Sequence, residues 1–155
     1  MLHSKHLLRL AAPIFLACAL FAVDQPPYDE TADAHQQVAS AIAEASKAQK
    51  NVVLVFGANW CGDCRALNMQ MHTDELAALI AANYEVVKID VGRFTKNKDI
   101  AAKYHVPLAH GIPTLAVLDS GGNVLYAMDQ GQFSNARSMS YESIRDFFTK
   151  WVPKK

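Results

Sequence analysis

Five consecutive apolar residues, Val52-Val53-Leu54-Val55-Phe56, break off at Gly57-Ala58-Asn59 and run at once into Trp60-Cys61-Gly62-Asp63-Cys64 and a stretch of helical pattern. An unbroken apolar run has no polar side to turn to water. It therefore reads as a strand covered on both faces, which requires helices on either side of a sheet. Where that strand hands over to a helix, two cysteines stand two residues apart. The first sits at the helix start, where free backbone N–H groups and the helix dipole favour a thiolate, and the second lies one turn further in. A dithiol so placed can close and open: one thiolate attacks a disulfide and the other thiol releases the mixed disulfide.

The flanking pattern completes an α/β domain. Residues 32–49 carry Val38, Ile42, Ala45 and Ala48 at helical spacing, giving an extra N-terminal helix that docks on the domain. Residues 61–71 read as helix with Leu67 and Met71 on one face. Thr73-Asp74-Glu75 then reads as a fresh start, with Thr73 as N-cap and Leu76, Leu79 and Ile80 buried. Residues 84–91 give a second strand, 92–98 a polar loop whose Arg93, Lys96 and Lys98 read as solvated, and 99–104 a short helix. Residues 115–118 and Val124-Leu125-Tyr126 flank the turn Asp119-Ser120-Gly121-Gly122-Asn123 and form a hairpin. A loop over 130–140 leads to a closing helix, 141–151, with Ile144, Phe147, Phe148 and Trp151 on its apolar face. A βαβ half, a hairpin and a final helix predict one central mixed β-sheet flanked by helices.

The first residues look different from the rest. Lys5 and Arg9 precede an apolar stretch, residues 10–23, that contains Pro13 and falls short of the roughly 20 residues of a membrane span. It suits a secretory signal cut after Ala19 or Ala22, with an uncleaved anchor as the competing reading. The domain plan is thus a signal peptide over 1–22, a linker over 23–31 around Pro26-Pro27, and one domain over 32–155. After cleavage at Ala22, Cys61 and Cys64 are what remains of three cysteines. Phe15-Leu16-Ala17-Cys18 resembles a lipoprotein processing site, but the apolar residues after Cys18 favour a plain signal. Lys+Arg and Asp+Glu both number 15, so no basic excess points to nucleic acid.

Trp60-Cys61-Gly62-Asp63-Cys64 after a strand, with Gly111-Ile112-Pro113-Thr114 before the hairpin, resembles the thioredoxin-like superfamily over about two-thirds of the chain. The helix break at Met71-His72-Thr73-Asp74 resembles its branch of periplasmic disulfide reductases and isomerases. The resemblance implies a thioredoxin fold and a thiol–disulfide oxidoreductase acting on protein disulfides in the periplasm. It implies Cys61 as nucleophile, Cys64 as resolving thiol, and a cis Pro113 facing them. Trp60, Ile112 and Pro113 would border the substrate. It also implies no cofactor beyond the Cys61–Cys64 disulfide, and a membrane-embedded electron donor. No second domain for dimerisation is evident, so a monomer is expected, and reduction ranks above isomerisation.

The sequence departs from that pattern in places. Asp63 replaces the usual proline, Val55 a buried aspartate and Met69 a kinking proline, and Pro107-Leu108-Ala109-His110 lengthens the loop before Pro113. Asp63 is expected either to raise the Cys61 pKa, because a carboxylate disfavours a neighbouring thiolate, or to be a solvated acid that complements the helix N-terminus. The rival reading is a binding module or copper or zinc carrier using the same thiols. A structural zinc site wants four ligands, and with one cysteine pair His72, His105 and His110 read as solvated, so no metal site is expected.

Overall fold

The computed structural model describes residues 25–154. The expected signal, its cleavage site and Cys18 lie outside the described residues. The elements in order are α1 (Ala34–Ala48), β1 (Asn51–Gly57), α2 (Gly62–Met71), α3 (Asp74–Asn83), β2 (Tyr84–Asp90), α4 (Lys98–Lys103), β3 (Thr114–Leu118), β4 (Val124–Ala127) and α5 (Tyr141–Lys150), with short 3₁₀ turns at Leu108–His110 and Ala136–Ser138.

The sheet order is β2-β1-β3-β4, with β1 parallel to β2 and antiparallel to β3, and β3 antiparallel to β4. Every residue of β1 is buried, as its composition requires of a central strand. Alternation splits it between two layers. Val52, Leu54 and Phe56 pack with Val38 and Ala45 of α1, Ile100 and Ala101 of α4, and Tyr104 just after it. Val53 and Val55 face the other way, onto Leu67 and Met71 of α2, Leu76 and Ile80 of α3, and Ile144 and Phe148 of α5. The mixed sheet with helices on both faces is the architecture expected from the sequence.

Local chemistry sets the boundaries. The Asp33 carboxylate caps α1 by accepting from the Gln36 N–H at 3.1 Å, and Ser140 caps α5 through the Ser143 N–H at 3.2 Å. Thr73 occupies the N-cap position of α3 but does not cap it with its side chain. Its hydroxyl turns back to donate to the Gln70 carbonyl at 2.7 Å, closing the end of α2 instead. In the hairpin, Asp119 Oδ1 accepts from the N–H groups of Gly121 and Asn123, both at 2.9 Å, which ties the turn to the end of β3.

The segment read as a linker packs on the domain. Tyr28 is 1% exposed, and its backbone pairs twice with the Asn59 side chain: its N–H donates to Oδ1 at 3.0 Å, and its carbonyl accepts from Nδ2 at 2.8 Å. Residues 25–33 thus form a strap fastened to the turn that carries Trp60 and Cys61.

Candidate active site

Cys61 is the N-cap of α2 in extended backbone conformation, and Cys64 lies in the first turn. The two form a disulfide. Cys61 Sγ accepts from the Cys64 backbone N–H at 3.1 Å, one of the N–H groups that a helix start leaves free. The same interaction would stabilise a Cys61 thiolate after reduction. Cys61 is 5% exposed and Cys64 1%, so the outer sulfur is Cys61 and neither is widely open. On its other side, Cys61 Sγ lies 3.5 Å from the carbonyl oxygen of Ile112. The Ile112–Pro113 peptide bond is cis. Two loops more than fifty residues apart in sequence are thereby joined at the sulfur.

Trp60 is 46% exposed and forms one wall. Its indole N–H donates to the Gly92 carbonyl at 2.9 Å, Phe94 meets the ring edge-on at 6.1 Å, and the Arg93 guanidinium sits over it at 5.5 Å. The loop after β2, read from sequence as solvated, therefore braces Trp60. It is itself held by Asp90, which accepts from Lys96 Nζ at 3.1 Å and whose backbone carbonyl accepts from Asn97 Nδ2 at 2.7 Å.

Asp63 faces a partner that the sequence did not reveal. Its carboxylate accepts from the Arg137 backbone N–H at 3.0 Å and from Nε at 3.2 Å, and pairs with a terminal guanidinium nitrogen at 3.2 Å. Partial burial pushes the Asp63 carboxyl up, but the hydrogen bonds and charge of Arg137 outweigh it and hold the group below the usual carboxylate range. The guanidinium lies over Gly62, between the two cysteines. A positive charge thus accompanies the negative one whose effect on Cys61 the sequence suggested. The loop bearing Arg137 also touches the Pro113 side. Gly131 adopts φ +62°, and a Cβ there would run into the His110 carbonyl, while Phe133 beside it is 2% exposed.

Tyr28 is the second residue that sequence reasoning missed. A Cβ placed on Gly57 would overlap the Tyr28 hydroxyl and lie 2.9 Å from Cys64 Sγ, so glycine at the end of β1 makes room for the strap over the inner sulfur. Burial, and secondarily the nearby charge of Asp90, push the Tyr28 hydroxyl far above its ordinary range, so it keeps its proton. Val55 packs on the opposite face of the sheet with Leu67 and Leu115. Among the described residues, no three His, Cys, Asp or Glu side chains gather in a way that could hold a metal ion. His72, His105 and His110 are all exposed.

The model of the thioredoxin-like family matches residues 33–120. The chain is 47% identical to a disulphide isomerase from Xylella fastidiosa Temecula1 of known crystal structure, covering 83% of this chain and 98% of that one with a TM-score of 0.79. It is 35% identical over 96 residues to a thioredoxin from Echinococcus granulosus, covering 59% of this chain and 79% of that protein. It is 32% identical over 80 residues to a thioredoxin from Mycoplasma genitalium, covering 52% and 70%. Two longer curated relatives are matched over 20% and 43% of their own length. The family match covers the strand, the dithiol, α2 and the Ile112–Pro113 loop in one stretch, and on that ground the chain belongs to the thioredoxin-like family.

Proposed function

We propose that the protein is a thiol–disulfide oxidoreductase that reduces protein disulfides in the bacterial periplasm. The observation that carries this is the Cys61–Cys64 pair at the start of α2, with the Cys64 N–H on one side of the Cys61 sulfur and the Ile112 carbonyl on the other. In the reduced protein, the Cys61 thiolate attacks a client disulfide. A Cys61–client bond forms, the client bond breaks, and the departing client sulfur takes a proton. The Cys64 thiolate then attacks Cys61 Sγ and restores the Cys61–Cys64 disulfide. The second client sulfur leaves reduced, so two electrons have passed from the dithiol to the client. Ile112 offers its backbone to an extended client segment, beside Pro113, and the exposed face of Trp60 borders it.

Electrons for the next cycle come from a membrane-embedded thiol donor in this reading, and the leader-like first residues support a periplasmic place. Asp63 and Arg137 set the Cys61 pKa together. Isomerisation is the second reading, favoured by the name of the Xylella relative. The test is reduction of insulin and of a scrambled disulfide protein. Consumption of one dithiol per client disulfide marks a reductase. Refolding of the scrambled protein without net oxidation of Cys61–Cys64 marks an isomerase. Stoichiometric copper or zinc binding with no turnover would instead favour the carrier reading.

A further inference from the structure

Resolution of the mixed disulfide needs a thiolate at Cys64, yet Cys64 is 1% exposed and belongs to a buried, mostly apolar cluster that includes Tyr28, Phe56, Ala58 and Ile112. Burial among apolar groups raises a thiol's pKa, so something has to favour the charged sulfur if the second step is to run at neutral pH. The N-terminal strap brings one polar group to that place. The Tyr28 hydroxyl and Cys64 Sγ converge over Gly57, in a space too small for a single methyl group. Tyr28 is fixed there by the two hydrogen bonds between its backbone and Asn59. Charged groups on that side include Asp90, which is 5% exposed, and Lys96, whose Nζ bridges Asp90 Oδ2 at 3.1 Å and the Glu30 carbonyl at 3.0 Å; at Asn59, the Glu30 carboxylate accepts from Nδ2 at 3.0 Å and the Arg65 guanidinium donates to the backbone carbonyl at 2.7 Å.

We infer that the Tyr28 hydroxyl is the hydrogen-bond donor that stabilises the Cys64 thiolate, making the strap a working part of the active site. The inference rests on the oxidoreductase reading for its purpose, and on the geometry over Gly57 for its content. Because burial and Asp90 keep the phenol protonated, it acts as a donor and not as a base. Tyr28 neither gains nor loses electrons. When Cys64 gives its proton to solvent and attacks Cys61 Sγ, the hydroxyl holds the charge on the attacking sulfur. When a thiol donor later opens the Cys61–Cys64 bond at Cys61, the same hydroxyl holds the charge on the departing Cys64. The donor stays where it is in both directions.

Tyr28→Phe keeps the ring against Gly57 and removes the donor. The probe is an aromatic disulfide that releases a coloured thiolate twice, first when Cys61 attacks and again when Cys64 resolves. Loss of the hydrogen bond is expected to raise the Cys64 pKa by about one unit. The thiolate fraction at neutral pH then falls about tenfold, while the more basic sulfur gains about threefold in nucleophilicity. The expected result is an unchanged first phase, a second phase about threefold slower at neutral pH, and a crossing of the two pH profiles so that the variant resolves faster in strong alkali. A merely structural role would not produce that crossing. In parallel, Cys64 Cβ is followed by NMR titration of the reduced, full-length protein, which needs no turnover. An unchanged Cys64 titration and an unchanged second phase in Tyr28→Phe overturn the inference. Absence of both phases in the wild-type protein overturns the oxidoreductase reading instead, and the titration still decides the role of Tyr28.

Discussion

Gly57→Ala tests whether the strap belongs to the domain, and its sign is informative. In an ordinary strand, adding a methyl group to glycine stabilises by about 0.5–1 kcal/mol, because the unfolded chain has less freedom to lose. Here the new Cβ would overlap the Tyr28 hydroxyl, lie 2.5 Å from Tyr28 Cζ and 2.9 Å from Cys64 Sγ. The protein has two ways out. It can keep the ring in place and accept overpacking strain of about 1–3 kcal/mol. Or it can expel the ring, losing about 2–3 kcal/mol of burial and opening a cavity beside Cys64. The cheaper route, offset by the gain at glycine, leaves a loss of about 1 kcal/mol, which for a domain of this size lowers Tm by about 3–5 °C. Tyr28→Leu shortens the side chain and vacates the collision, so the double variant should be less destabilised than the sum of the singles by about 1 kcal/mol or more. The assay is urea and thermal unfolding of the oxidised protein for the four members of this cycle. A Gly57→Ala protein at least as stable as wild type, with additive behaviour alongside Tyr28→Leu, would refute the packing of Tyr28 over the inner sulfur.

Other expectations follow from the same geometry. Asp63→Asn should lower the Cys61 pKa and Arg137→Met should raise it, each by about one unit, as read from the ultraviolet absorbance of the thiolate against pH; shifts of the same sign would contradict the pairing. Asp63 is also held below the usual carboxylate range in the folded protein, so its pair stabilises above the unfolded value of about 4 and is lost as pH falls through the lower folded value. The stability gap between wild type and Asp63→Asn should therefore narrow on acidification, measured by urea unfolding across that window. Asp33→Ala removes the cap from α1 and should cost about 1 kcal/mol, seen as a lower urea midpoint at unchanged slope.

Much of this was legible in the sequence because it depends on local pattern. The apolar run of β1, the strand-to-helix placement of Cys61, the Asp119–Asn123 turn and the apolar face of α5 are each written within about ten residues. What escaped is long-range pairing. The two prolines before Tyr28 look like a linker, and nothing nearby says that Asn59, 31 residues on, will clasp its backbone. Arg137 meets Asp63 across 74 residues from within an irregular loop that has no periodicity to read. Arg93 looked solvated because its partner, Trp60, stands in another loop. The one available hint was Gly57 itself, a glycine ending an otherwise bulky strand, which marks a close approach by some other group.

Cys61 attacks the client and Cys64 releases it, and trapping the mixed disulfide separates these two roles. Cys64→Ser and Cys61→Ser proteins are expressed in the native compartment, alkylated, and resolved without reductant. With the sulfurs dividing the labour in this way, covalent, reductant-sensitive adducts form between Cys64→Ser and secreted proteins, each mapped by mass spectrometry to Cys61, and few or none form with Cys61→Ser. Equal trapping by both variants, or none by either, would contradict it.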